Sequence, residues 1–196
     1  MRAHARVPWL RTQGVLRRIE QCLARAQSAS RISEGQFRVL QFSVQSDHVH
    51  LLIEAADRRA LSRGMQGLAI RLARRVNSLL RRKGPFWGDR YHARALTTPR
   101  EVRNAIVYVL QNFKKHQVRA DDPLDEYSSA HWFDGWVPRA GPYVRELGAL
   151  HAQRHRRTRG EAEVTCPVRP ARTWLGSVGW RMHGCLQPSE RPRAPG

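Results

Sequence analysis

The sequence has no long apolar run and little negative charge. No stretch approaches the roughly 18 consecutive apolar residues of a membrane-crossing helix, so a soluble, cytoplasmic protein without a membrane association is expected. The first residues, MRAHARVPWLRTQG, carry charge but no apolar segment of the signal-peptide kind. Cysteine is sparse: Cys22, Cys166 and Cys185 are odd in number and scattered. No zinc-type spacing joins them, and they read as ordinary thiols of a reducing compartment. Acidic residues number 16 against 35 Lys+Arg, a formal charge of +19. Charge of that size repels itself in a compact fold and points to an anionic partner. Nucleic acid comes first and an anionic membrane surface second. Most of the excess is arginine, which forks onto phosphate and stacks on bases. Some of these arginines only solvate the surface, a weaker explanation for the whole excess. Hydrophobic residues make up 41%, enough for a packed core, and there are no internal repeats.

The periodicity gives α+β order. Val15, Leu16, Ile19, Cys22, Leu23 and Ala26 fall on one stripe of a helix over residues 12–29. Gly35 breaks the chain. Residues 36–45 alternate as a strand, with Arg38, Leu40, Phe42 and Val44 on one face. A turn at 46–47 leads to a second strand, His48 to Glu54, and the two read as an antiparallel hairpin. Asp57 is a candidate N-cap for a long helix to about residue 82, with Leu61, Met65, Leu68, Leu72, Val76 and Leu79 inward and many arginines outward. Gly64 and Gly67 interrupt it, consistent with close packing on a sheet. A loop then leads into a strand around residues 92–98, and Pro99 opens a helix to 116 with Val102, Ala105, Ile106, Val109 and Phe113 inward. The expected architecture is an antiparallel sheet with helices packed on one face. It fills residues 1–118. Residues 119–196 form an irregular, basic, Trp-containing C-terminal extension that is partly disordered, ending in QPSERPRAPG.

One constellation carries chemistry. His48 and His50 stand two apart on a strand, so both imidazoles point to one face and can converge on a divalent metal. Alone, such a pair is a weak signal, and two unliganded histidines on a solvated strand explain it better. Tyr108 lies on the last helix beside the apolar stripe, and Asn112 lies one turn on along the same face. An amide oxygen is an acceptable ligand for Mg²⁺ or Mn²⁺. Taken singly, Tyr108 could be a packing residue and Asn112 a surface amide. Asp121, Asp122 and Asp125 form an acidic group that reads as a solvated loop or a second metal site. Trp87 and Tyr91 could close the core or stack on unpaired bases. His116 is a helix-end cation or a phosphate contact.

The order SVQSDHVHLLIEA, long basic helix, FWGDRYHARAL, YVLQN resembles the single-tyrosine transposases of the HUH nuclease superfamily, most of all the REP-associated branch. The resemblance runs from Phe37 to His116. It implies an HUH nuclease, ferredoxin-like fold with His48, His50 and Asn112 at a metal, Mg²⁺ or Mn²⁺, and Tyr108 as nucleophile on single-stranded or hairpin DNA. A free tyrosine, with a pKa near 10, would need the metal's help to attack phosphorus and form a 5′-phosphotyrosine. That intermediate keeps the bond energy for rejoining. Arg71, Arg74, Arg75, Arg90, Lys114 and Lys115 are the candidate DNA contacts. A homodimer is among the arrangements implied. Asp47 and Phe113 depart from the Asn and Pro common in the family. Its first strand is either HARV in shortened form or lost to a late start. Two rivals remain: a catalytically inactive, transposase-derived nucleic-acid-binding protein, and a metal-dependent nuclease that uses water.

Overall fold

The computed structural model describes residues 1–28, 36–115, 123–156 and 166–192. Helix α1 spans Gln13–Ser28, strands β1 and β2 span Phe37–Val44 and Val49–Ala55, and α2 spans Arg58–Leu79. Helix α3, Pro99–Gln111, runs on as a 3₁₀ turn, Asn112–Lys115. Helix α4 covers Gly141–Arg156, and a short α5 covers Trp174–Ser177. Local chemistry explains the boundaries. The Asp57 carboxylate accepts the Ala60 amide at 2.6 Å and starts α2. Thr98 and Glu101 form a reciprocal capping box at α3, with Pro99 in its first turn.

The strands pair antiparallel, as expected, with a bulge between Val39 and Gln41. An extra residue in one strand shifts the phase of alternation. Val39, Phe42 and Val44 therefore join Val49 on one face, in a core with Leu16, Ile19 and Leu23 of α1 and Leu68, Leu72 and Val76 of α2. Leu40 and Leu52 turn to the other face and pack with Ile106 and Leu110 of α3. The α+β class holds, but the helices do not all share one face: α1 and α2 cover one and α3 covers the other. The bulge makes both faces apolar, so a helix on only one side would leave Leu40 and Leu52 in water.

The expected strand around 92–98 is absent: residues 91–97 pair with no strand. The edge of β2 is already taken. The terminal amine of Met1 donates to the Val49 carbonyl, Val49 N–H donates to the Met1 carbonyl, and Ala3 N–H donates to the Asp47 carbonyl. Ala3 bridges in turn to Trp87. These bridges fall at Arg2 and Ala3, just before HARV.

The other edge, that of β1, is covered by the C-terminal segment. Val44 N–H donates to the Tyr127 carbonyl, Ser129 N–H to that of Phe42 and Arg169 N–H to that of Val39. Covering both edges removes the unpaired backbone groups that invite association. Phe133, Trp136, Trp180 and Leu186 complete the α3 core. The terminal residues expected to be disordered are placed as far as Pro192, because Arg103 holds the Glu190 carboxylate through two nitrogens at 2.8 and 2.9 Å. No described helix is long and apolar enough to cross a membrane.

Candidate active site

The face of the hairpin turned toward α3 carries His50, and the bridge beside β2 carries His48. The two imidazole Nε2 atoms approach to 2.9 Å, and the rings meet edge to face with centroids 4.5 Å apart. Helix α3 crosses above them. Tyr108 stacks edge-on against His50 at 5.0 Å between centroids. One turn later the Asn112 amide nitrogen lies 3.1 Å from His50 Nε2. Both histidines and Tyr108 are half-buried, whereas Asn112 is 1% exposed. The four residues singled out in the sequence, from elements about 60 positions apart, thus meet at one place.

Tautomer chemistry defines what this group lacks. His48 Nδ1 lies 2.6 Å from the Asp47 carboxylate, and that hydrogen bond holds the Asp47 carboxyl below its usual range. An ionised carboxylate only accepts, so Nδ1 carries the proton and Nε2 of neutral His48 is bare. His50 Nε2 cannot satisfy both neighbours as a neutral ring. Protonated, it serves His48 and faces the Asn112 amine; bare, it serves Asn112 and faces a second bare nitrogen. The Asn112 amide oxygen is buried with no hydrogen-bond partner.

A divalent cation fits this donor set. Two nitrogens 2.9 Å apart are compatible with sharing one ion, given metal–imidazole bonds of about 2.1 Å. The unpartnered amide oxygen would serve as third ligand once the amide turns over. Asp47 would orient His48 from outside, the usual role of a carboxylate behind a metal-binding histidine. Among the described residues no group of three or more His, Cys, Asp or Glu gathers to hold a metal. The set here is two imidazoles and one amide.

The remaining candidates scatter. Arg71, Arg74 and Arg75 are exposed on α2, behind the opposite face of the sheet, and are not brought to the histidines. Arg75 and Arg71 instead group with Arg25 and Arg18 around Cys22, where burial pushes the thiol up and these four cations oppose it. Arg90 is exposed in the loop before α3. Lys115 lies over the Tyr108 ring, 4.7 Å from its centroid, while Lys114 points away and donates to the Pro188 carbonyl. Trp87 packs against the first core and donates to the Ala69 carbonyl at 2.9 Å. Asp125 is not solvated: it is buried, and its carboxylate takes both terminal nitrogens of Arg11 at 2.8 and 3.1 Å. Asp121, Asp122 and His116 lie outside the described residues. Sequence reasoning missed Asp47 as the partner of His48; its place directly before the His pair was the available signal.

Comparison with known proteins adds one positive finding. A family model described as "Transposase IS200 like" matches residues 1–112. The match takes in the N-terminal bridge, the hairpin with both histidines, and α3 through Asn112. No curated protein and no solved structure matches the chain.

Proposed function

The chain belongs to the IS200-like transposases, and on that premise we propose that it cuts and rejoins single-stranded DNA through Tyr108 with a divalent metal at His48, His50 and Asn112. The observation that carries this reading is the meeting of His48 Nε2, His50 Nε2 and the buried Asn112 amide beside Tyr108. A protein that only bound DNA would not need a tyrosine, two facing imidazoles and an orphaned amide oxygen in one spot.

In the proposed reaction the Tyr108 oxygen forms a bond to a backbone phosphorus and the P–O3′ bond breaks. The phenolic proton leaves, and a proton returns to the released 3′ oxygen. Mg²⁺ or Mn²⁺, when bound, polarises the phosphate and offsets its developing charge. The protein's own part is placement. Helix α3 fixes the tyrosine and the amide on one face, the hairpin fixes the imidazoles, and Asp47 fixes the tautomer of His48. Lys115 lies within reach of a phosphate arriving at Tyr108. The phosphotyrosine keeps the energy of the broken bond, so a second 3′-hydroxyl can displace it without a nucleotide cofactor.

Covalent trapping tests the reading. The protein is mixed with labelled hairpin DNA from sequence flanking its gene and with Mn²⁺, then separated under denaturing conditions. A protein–DNA band that disappears in Tyr108→Phe and with chelator is the expected result. Strand cutting that persists in Tyr108→Phe would assign the chemistry to water. Tight, salt-sensitive binding with no band on any flanking hairpin would identify an inactive DNA-binding descendant.

A further inference from the structure

The second core opens at its surface into a cleft that the tyrosine chemistry leaves unused. The cleft has a volume of about 600 Å³, within the range of ligand sites, and Lys114, Arg139, Tyr143, Pro188, Ser189 and Arg191 line it. Three of these are cations, and none of the described lining residues is acidic. The Glu190 carboxylate beside the cleft is held by Arg103 at 2.8 and 2.9 Å and by the Gln187 amide at 2.8 Å. Bringing like charges together is unfavourable; among the described residues Glu190 acts on Lys114 and Arg191 opposes it, so the three lining cations keep a net positive charge that an anion would offset.

Two of the three cations are held by hydrogen bonds, and Arg191 is exposed. Lys114 donates to the Pro188 carbonyl, which uses one of the three donors of an ammonium. Arg139 is held over the cleft by one terminal nitrogen on the Gln187 side-chain oxygen at 2.5 Å. Tyr143, in the first turn of α4, is 45% exposed and lines the cleft with them. Phosphate-binding cations with an exposed aromatic ring are the two components of a single-strand groove.

We propose that this cleft binds a phosphodiester segment of a DNA single strand, with phosphates on Lys114, Arg139 and Arg191 and a base against Tyr143. The position on the fold supports this occupant. Lys114 and Lys115 are neighbours in the 3₁₀ turn that Asn112 begins; Lys115 covers Tyr108 and Lys114 enters the cleft. The turn thus places one lysine at the tyrosine and its neighbour at the cleft, so a strand bound at Tyr108 and extended past this turn would meet the cleft. The inference rests on the strand-transfer reading for the identity of the anion. Contacts of this kind position a strand without reading its sequence.

The test uses the full chain and fluorescein-labelled hairpin DNA with and without a single-stranded thymidine tail. The Arg139→Gln/Arg191→Gln variant should bind the tailed hairpin about tenfold more weakly than the parent. Its slope of log affinity against log salt should fall by about 1.4, the value for two lost single-strand phosphate contacts. The tailless hairpin should change little, and Arg139→Lys/Arg191→Lys should restore the slope. Arg191→Gln alone, at an exposed position that leaves the Arg139–Gln187 contact intact, should give about half the slope change. Unchanged affinity and slope, or an equal loss on the tailless hairpin, would overturn the cleft assignment. Adduct formation by the parent protein is scored separately. An adduct without tail dependence removes the cleft and keeps the chemistry; tail dependence without any adduct keeps the cleft and removes the chemistry.

Discussion

Asp47 directly precedes His48, and its charge matters to that residue. Its carboxylate accepts the His48 Nδ1 proton at 2.6 Å, which leaves Nε2 bare and aimed at His50. An asparagine could keep the hydrogen bond through its amide oxygen but would lose the charge that makes the imidazole a stronger donor. Asp47→Ala loses both. Outer-sphere partners of this kind typically alter metal affinity by about 10–100-fold. Asp47→Ala is therefore expected to weaken Mn²⁺ binding within that range, measured by calorimetry, while thermal stability stays close to the parent because Asp47 is exposed. Unchanged Mn²⁺ affinity would remove Asp47 from the site. At this scale the sequence was highly legible. Alternation along a strand put His48 and His50 on one face, helical spacing put Tyr108 and Asn112 on another, and the resemblance joined the two. The orientation of His48 was not legible, because a carboxylate beside a histidine reads equally well as a turn residue.

Two elements decide how closely the site is held, and glycine at one of them sets the spacing. Helix α2 lies against the hairpin with Gly64 over the Phe37 ring, and a Cβ built there would overlap the ring. Helix propensity alone favours Gly64→Ala by roughly 1 kcal/mol. The overlap with a ring that is already packed costs more, on the order of 1–3 kcal/mol. Net destabilisation is expected in urea unfolding, and a stabilised variant would mean that Phe37 can swing clear. The glycine was legible as a sign of close packing, but its neighbour was not, since nothing local in the sequence says which strand residue a helix crosses. The bulge at Val39–Gln41 was equally hidden. Simple alternation places Leu40, Phe42 and Val44 together, whereas one extra residue sends Leu40 to α3 and makes the second face apolar. The position of α3 over the histidines depends on that shift. The expected strand at 92–98 failed for a related reason. Strand-like composition cannot show that Met1 and Ala3 have already claimed the edge.

Across the whole molecule, the C-terminal extension completes the fold rather than trailing from it. Its backbone pairs with β1, Trp136 and Trp180 join the α3 core, and Asp125 reaches back to Arg11 just ahead of α1. That ion pair ties the two parts together out of water: the Asp125 side chain is 1% exposed and that of Arg11 14%. The Asp125 carboxylate also accepts the Tyr127 amide at 3.0 Å, next to the Tyr127 carbonyl that pairs with Val44. Removing one partner of a buried pair leaves the other charge uncompensated, at a cost of about 3–5 kcal/mol. Asp125→Ala is expected to destabilise the protein by that order, with Arg11→Met/Asp125→Ala recovering much of the loss because the stranded guanidinium is gone. Equilibrium unfolding in urea measures both, and the double-mutant cycle isolates the pair. A loss below about 1 kcal/mol in Asp125→Ala would mean that the extension is held by its apolar contacts alone. The expected loss would instead make the extension part of the scaffold that positions α3, so that Asp125→Ala should also weaken Mn²⁺ binding at a site it does not touch.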